Sequence, residues 1–169
     1  MKILERNRST HATKARIMRH MLRILLAITL LTASPSLAEQ RSADRAIDVY
    51  KTPTCGCCAK WAEHLQARGF TVRTTNVDSI AELPSNRRLS RQPQPCHVGV
   101  IGGYVVEGHV PASDVLRLLK ERPAIAGLAV HGMPVGSPGM EVAGRAAQPY
   151  DVLAIDRQGN ARVYASHGR

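Results

Sequence analysis

Residues 47–65 read IDVYKTPTCGCCAKWAEHL, and this stretch decides the fold. Its first five residues alternate in polarity as a half-buried strand does, and the TPT triplet that follows ends the strand. Trp61 and Leu65 then lie four residues apart, as they would on one face of a helix. The three cysteines between these two segments therefore fall at a strand-to-helix turn.

The turn gives the cysteines a particular chemistry. Free backbone N–H groups and the helix dipole both favour negative charge at the start of a helix. Thiolates of Cys55, Cys57 and Cys58 are easier to form there, and the thiolate is both the nucleophile and the metal ligand among cysteine states. A Cys55/Cys58 pair alone would indicate redox chemistry or a structural disulfide. The third thiol favours a soft metal ion.

The order of elements along the chain predicts an α/β fold. After a strand at 47–51 and a helix at 56–68, the pattern predicts a strand at 70–77, a short helix at 79–83, two strands at 97–101 and 104–107 across a Gly-Gly turn, and a helix at 111–122. Residues 124–149 are predicted to be mostly loop, and a hairpin covers 150–155 and 161–165. This βαβ-then-ββα order predicts a thioredoxin-like domain: a central mixed sheet, helices on its faces and a C-terminal β-hairpin extension.

The formal charge of +10 is concentrated at the N-terminus. Residues 1–38 hold seven Lys/Arg and one acid, a net +6, which leaves +4 for residues 39–169. That distribution argues against a nucleic-acid binder. A basic start, an apolar run at 22–31 and small residues before Glu39 are typical of a secretory signal peptide cleaved after Ala38.

We therefore predict a signal peptide at 1–38, a disordered leader at 39–46 and a single metal-binding domain at 47–169. The apolar run is shorter than a membrane span, although an uncleaved anchor is the alternative. The mature protein is expected in the periplasm, where disulfides persist, and meets the membrane only through its signal peptide during export. The true start is open between Met1, Met18 and Met21.

Residues from distant parts of the chain are predicted to meet at the cysteine turn. The strand at 97–101 runs antiparallel to the first strand, which brings Cys96 about one strand spacing, ~4.8 Å, from the turn. The next strand reverses again and returns His109 to the same edge of the sheet. Met133 and Met140 lie in a Gly/Pro loop with little core to fill, and their thioethers are ligands that select Cu(I).

The other histidines are weaker candidates. Alternation along the strand directs His97 to the face opposite Cys96. His64 is predicted to be exposed, because about 600° of helical rotation separates it from Cys58. Whether His97 or His131 ligates a metal is left open.

The chain contains six short motifs, each present once: Lys51-Thr-Pro-Thr-Cys-Gly-Cys-Cys58, Cys96-His97, Tyr104-Val-Val-Glu-Gly-His-Val-Pro111, Gly127-Leu-Ala-Val130, Gly132-Met-Pro-Val-Gly-Ser-Pro-Gly-Met140 and Pro149-Tyr-Asp-Val152. Together they resemble the CopG-like family of periplasmic copper-resistance proteins, long catalogued as a domain of unknown function. The likeness covers residues 46–166.

The resemblance implies a thioredoxin-like domain that holds a Cu(I) cluster on cysteine sulfurs, with copper redox activity. The residues it implies as ligands are Cys55, Cys57, Cys58 and Cys96, with His109, Met133 and Met140 as supports. Four thiolates carry −4, which several Cu(I) ions offset and one Zn²⁺ does not. The cysteine spacing also differs from the two separated pairs of a zinc ribbon.

Two functional hypotheses follow. The favoured one is a periplasmic protein that binds copper ions for copper tolerance and handling; a copper-transfer partner is left open. The alternative is a thiol–disulfide oxidoreductase with Cys55 as nucleophile and Cys58 as resolving thiol. That alternative leaves Cys57, Cys96 and the methionine loop without a role, so we favour metal binding over enzymatic activity.

Overall fold

The computed structural model describes residues 16, 18, 44–84, 87–89 and 95–169. The chain divides into two units, Met1–Glu39 and Gln40–Arg169. Arg16 and Met18 are helical, and the rest of the predicted signal peptide lies outside the described residues, as do residues 39–43 of the predicted leader. Among the described residues, none of the helices combines the length and the apolar character that a membrane span requires.

Within its described part, the second unit contains seven strands and two α-helices whose bounds are described; Asp44 is helical as well. The strands are β1 (Ala46–Lys51), β2 (Thr71–Asn76), β3 (His97–Ile101), β4 (Tyr104–Glu107), β5 (Gly127–Ala129), β6 (Tyr150–Ile155) and β7 (Ala161–His167); the helices are α1 (Gly56–Ala67) and α2 (Ala112–Glu121). A single 3-10 turn at Ile80–Glu82 stands where the short helix was predicted. The structure differs from the prediction at β5, which lies in a segment expected to be mostly loop.

All seven strands form one mixed sheet in the order β2-β1-β3-β4-β5-β6-β7. β1 pairs in parallel with β2 across α1, and β4 pairs in parallel with β5 across α2. β3 runs antiparallel to β1 with Lys51 opposite His97, so the start of β3 lies beside the cysteine turn. The α/β class, the mixed sheet and the C-terminal hairpin of β6 and β7 are confirmed; the thioredoxin-like assignment stays a prediction.

The two faces of the sheet carry different helices. Trp61 and Leu65 of α1 share one apolar core with Val115 and Leu118 of α2, so both α-helices cover the same face. The opposite face packs against the 3-10 turn in a smaller core of Ile80, Leu83, Val98 and Val105. Because alternate residues of a strand face opposite ways, β3 and β4 contribute to both cores.

Candidate metal centre

The cysteine turn is built by backbone contacts at the end of β1. Cys55 N donates to Thr52 O at 3.2 Å, and Cys55 is the N-cap of α1 with an extended backbone (φ −76°, ψ 98°). Lys51 is buried, and its ammonium donates to Thr52 O at 3.0 Å and to Pro53 O at 3.2 Å. A positive charge and the free N–H groups of the first helical turn therefore lie at this corner.

Three sulfurs lie together at the turn. The Sγ atoms of Cys55, Cys57 and Cys58 are all within 4.8 Å of one another, which makes this the one group of three or more Cys, His, Asp or Glu donors at metal-binding distance in the described part of the chain. Cys55 and Cys58 form a disulfide. Cys57 is free and half-buried, with its sulfur 3.5 Å from that of Cys55.

Cys96 lies beside the turn through its backbone. Thr52 N donates to Cys96 O at 3.3 Å, as the antiparallel pairing of β1 and β3 requires. Its side chain is exposed, and its sulfur is not part of the three-sulfur group. The structure therefore places the Cys96 backbone where the sequence predicts it, and the role of the thiol as a fourth ligand stays a prediction.

His97 is buried beneath the helix that carries the cysteines. Its ring centroid lies 4.5 Å from that of Trp61 and 5.0 Å from that of His109. His97 Nε2 is 3.0 Å from Gly108 O, and since a carbonyl oxygen only accepts, this nitrogen carries the proton. Nδ1 has no hydrogen-bond partner among the described residues. Sequence reasoning assigned His97 a face of the strand but not this buried stack.

His109 is oriented by the methionine loop. Its Nδ1 is 2.8 Å from Pro138 O and so donates to that carbonyl, which leaves the Nε2 lone pair free. A backbone carbonyl that accepts from one ring nitrogen is the usual way to fix the other as a metal ligand. Burial lowers the pKa of His109, although the bond to Pro138 and the carboxylate of Glu141 oppose this shift. Burial therefore favours the neutral imidazole, which is the form that ligation requires.

A cavity of about 180 Å³ opens next to these histidines. Its polar and sulfur-bearing lining comprises Cys96, His97, Glu107, His109, His131 and Met133. His131 is exposed, and Met133 exposes 58% of its surface. Several predicted donors therefore share one cavity, whereas the three clustered sulfurs are not part of its lining.

The loop from Gly132 to Met140 packs against the start of α1. At Gly139 (φ +85°) an added Cβ would lie 2.8 Å from Cys57 O and 2.9 Å from Trp61 N, so the loop backbone approaches the cysteine helix as closely as glycine allows. Met140 is half-buried, in contrast to Met133. The loop thus covers the cysteine turn at its Gly139 end, while ligation by either methionine stays a prediction.

The prediction that His64 is exposed is wrong. The side chain is half-buried, and His64 Nε2 accepts a hydrogen bond from Ala112 N at 3.2 Å. Burial, followed by the charge of Arg68, lowers the pKa of His64. The imidazole satisfies a free N–H at the start of α2, a partner on another element that helical spacing within α1 does not reveal.

The buried His97 makes stability depend on pH. Burial, followed by the charge of neighbouring His109, lowers its pKa to about 3, although the bond to Gly108 O opposes this shift. A histidine in an unfolded chain has a pKa near 6.5. Below that pH the unfolded chain binds a proton at residue 97 and the native chain does not. The free energy of unfolding therefore falls as the pH falls. We expect H97Q, whose amide can still donate to Gly108 O, to flatten this slope by up to ~1.4 kcal/mol per pH unit. Urea unfolding of both proteins at several pH values between about 6 and 4 measures the slope; equal slopes would contradict the prediction.

Comparisons with known proteins identify the family of the chain. The family described as "Protein of unknown function, DUF411" matches residues 94–140. No curated protein matches the chain. The solved structure of "Copper resistance protein copG- Form 1" is 44% identical, with 73% of this chain and 98% of that chain covered and a TM-score of 0.67. "Copper resistance protein copG- Form 2" is 46% identical, with 72% and 97% covered and a TM-score of 0.64. At this identity and coverage, the chain belongs to the CopG-like copper-resistance family.

Proposed function

We propose that the mature protein is a periplasmic copper-binding protein for copper tolerance and handling. Its cargo is Cu(I), held as a thiolate cluster on the sulfurs of Cys55, Cys57 and Cys58 with Cys96 as the fourth. The observation that carries the proposal is the three-sulfur group within 4.8 Å at a helix start. Thiolates are soft donors, and soft donors select Cu(I).

The surroundings of the sulfurs suit such a cargo. Reduction of the Cys55–Cys58 bond frees two more thiols beside Cys57, and metal binding needs all of them as thiolates. The buried ammonium of Lys51 and the helix N-terminus both favour that negative charge. His109 offers a lone pair on Nε2, and the loop packed over Cys57 carries Met140. The donors present therefore fit Cu(I) better than a hard cation.

The disulfide itself favours a second candidate function. A bonded Cys55–Cys58 pair at a helix start is the oxidised form that a thiol–disulfide oxidoreductase would have. The two functions also combine: the reduced pair gives one electron to each of two Cu(II) ions, which yields two Cu(I) ions, one disulfide and two protons. Copper redox activity is then a property of the Cys55/Cys58 pair within the three-sulfur group.

Anaerobic reconstitution tests the copper proposal. We expect the reduced mature protein to retain more than one Cu(I) per chain after desalting, measured by elemental analysis and native mass spectrometry. The C55S/C58S double variant is expected to lose most of this copper, and C96S is expected to lose only part. Full Cu(I) stoichiometry in the double variant would contradict the proposal.

Two further measurements separate the remaining alternatives. Rapid insulin reduction that a Cu(I) chelator leaves unchanged would favour the oxidoreductase over the copper protein. The intact mass of the protein from a periplasmic extract tests export, because cleavage after Ala38 removes residues 1–38. A mass that includes those residues would instead favour the uncleaved anchor.

A further inference from the structure

The third sulfur at the turn is placed for a reaction of its own. Cys55 Sγ is bonded to Cys58 and lies 3.5 Å from the free sulfur of Cys57. The sulfur of Cys55 can therefore form a disulfide with either Cys57 or Cys58, but with only one of them at a time. A redox pair of the Cys-x-x-Cys type needs only two of these three residues.

We propose that Cys57 is an internal exchange nucleophile that moves the disulfide from Cys55–Cys58 to Cys55–Cys57. The Cys57 thiolate attacks Cys55 Sγ, a Cys55–Cys57 bond forms, and the Cys55–Cys58 bond breaks with its electron pair leaving on Cys58 Sγ. The proton lost from the Cys57 thiol ends on Cys58 Sγ, so the number of thiol protons does not change. One disulfide is present before and after, so the step needs no oxidant or reductant.

The distance between Cys57 and Cys55 favours this step. A thiol held 3.5 Å from a disulfide sulfur reacts at a high effective concentration, because no encounter has to occur. All three sulfurs lie within 4.8 Å of one another, so the Cys57 side chain must first rotate to attack in line with the Cys55–Cys58 bond. The leaving Cys58 lies in the first turn of α1, where unpaired N–H groups and the helix dipole stabilise a thiolate. Cys55 has an extended backbone at the N-cap (φ −76°, ψ 98°), so the Cys55–Cys57 pair is not confined to helical geometry.

The exchange changes which thiol a partner can reach. With the Cys55–Cys58 bond, the free thiol within the motif is the half-buried Cys57, while Cys96 is free and exposed in both forms. With the Cys55–Cys57 bond, the free thiol is Cys58, whose side chain is fully buried at 0% exposure. The third thiol of the motif is therefore half-buried in one oxidised form and fully buried in the other. This inference does not depend on copper, because all the reacting atoms belong to the chain.

Mapping of free thiols in copper-free, oxidised wild-type protein tests the inference. After incubation at neutral pH the protein is acidified to stop exchange, then denatured and alkylated with N-ethylmaleimide at mildly acidic pH. Tandem mass spectrometry of the tryptic peptide 52–60 locates the label within the cysteine motif. We expect label on both Cys57 and Cys58, which reports the two disulfide isomers. Label confined to Cys57 would overturn the proposal.

Two single variants provide matched controls. In oxidised C57S only the Cys55–Cys58 bond can form within the motif, so peptide 52–60 is expected to carry no label. In oxidised C58S the Cys55–Cys57 bond is expected to form, which again leaves the peptide unlabelled. Two labelled thiols in oxidised C58S would also overturn the proposal. Because the wild-type measurement needs no substitution, the test does not rely on the folding of a variant, and its failure would leave the copper proposal untouched.

Discussion

Replacement of Trp61 by alanine is expected to lower the free energy of unfolding by about 3–5 kcal/mol, the usual cost of emptying a large core site. Trp61 is fully buried and anchors the cysteine helix. Its ring stacks on His97 at 4.5 Å, and its Nε1 donates to Val110 O at 2.9 Å. The substitution therefore removes both the packing under α1 and a buried hydrogen bond. Denaturant unfolding followed by circular dichroism measures the loss, because Trp61 is the only tryptophan.

W61F separates the two contributions. Phenylalanine retains most of the apolar ring but leaves Val110 O without its donor, which costs about 1–3 kcal/mol. We therefore expect W61F to be destabilised less than W61A. An equal loss in the two variants would show that the hydrogen bond, and not the stack on His97, holds α1 in place.

Replacement of Gly139 by alanine is expected to have the second largest effect. The added Cβ would lie 2.8 Å from Cys57 O and 2.9 Å from Trp61 N, both backbone atoms that cannot turn away. Overpacking of this kind costs about 1–3 kcal/mol, and the left-handed backbone at φ +85° adds about 1–2 kcal/mol for a residue with a side chain. We also expect the loop to move away from the cysteine turn and Cu(I) retention to fall. Unfolding and competition with a Cu(I) chelator measure the two effects.

Gly132 offers a matched control in the same loop. It has a similar backbone, φ +74°, but an added Cβ would meet nothing within 4 Å. G132A therefore carries only the backbone cost of about 1–2 kcal/mol. If G139A and G132A were equally stable and retained copper equally, the contact between the loop and the cysteine helix would have no role in the site.

Periodicity and turn chemistry were sufficient to predict most of the fold. The Gly102-Gly103 turn locates β3 and β4 at the observed bounds, and the apolar face of α2 locates that helix to within a residue at either end. β5 was missed because three residues, Gly127–Ala129, are too few to show a period of two. At Gly127 an added Cβ would lie 1.8 Å from Val105 O, a close approach of neighbouring strands that a single sequence does not display.

Strand direction was enough to predict which residues lie near one another at the candidate site, but not which side chains contact each other. Antiparallel pairing of β1 and β3 was enough to bring the Cys96 backbone to the turn. Contacts between distant elements were not predictable: the stack of Trp61 on His97, the bond from Ala112 N to His64, and the approach of Gly139 to Cys57. Each of these contacts depends on how a helix or loop packs on the sheet, and the residue spacing within a single element does not determine that packing.

The ammonium of Lys51 donates to two carbonyl oxygens of the turn that leads to the sulfurs. A cation at the end of the first strand favours negative charge in its neighbourhood. If the cysteines of the proposed centre are reduced to thiolates, this charge therefore stabilises the reduced form relative to the neutral disulfide.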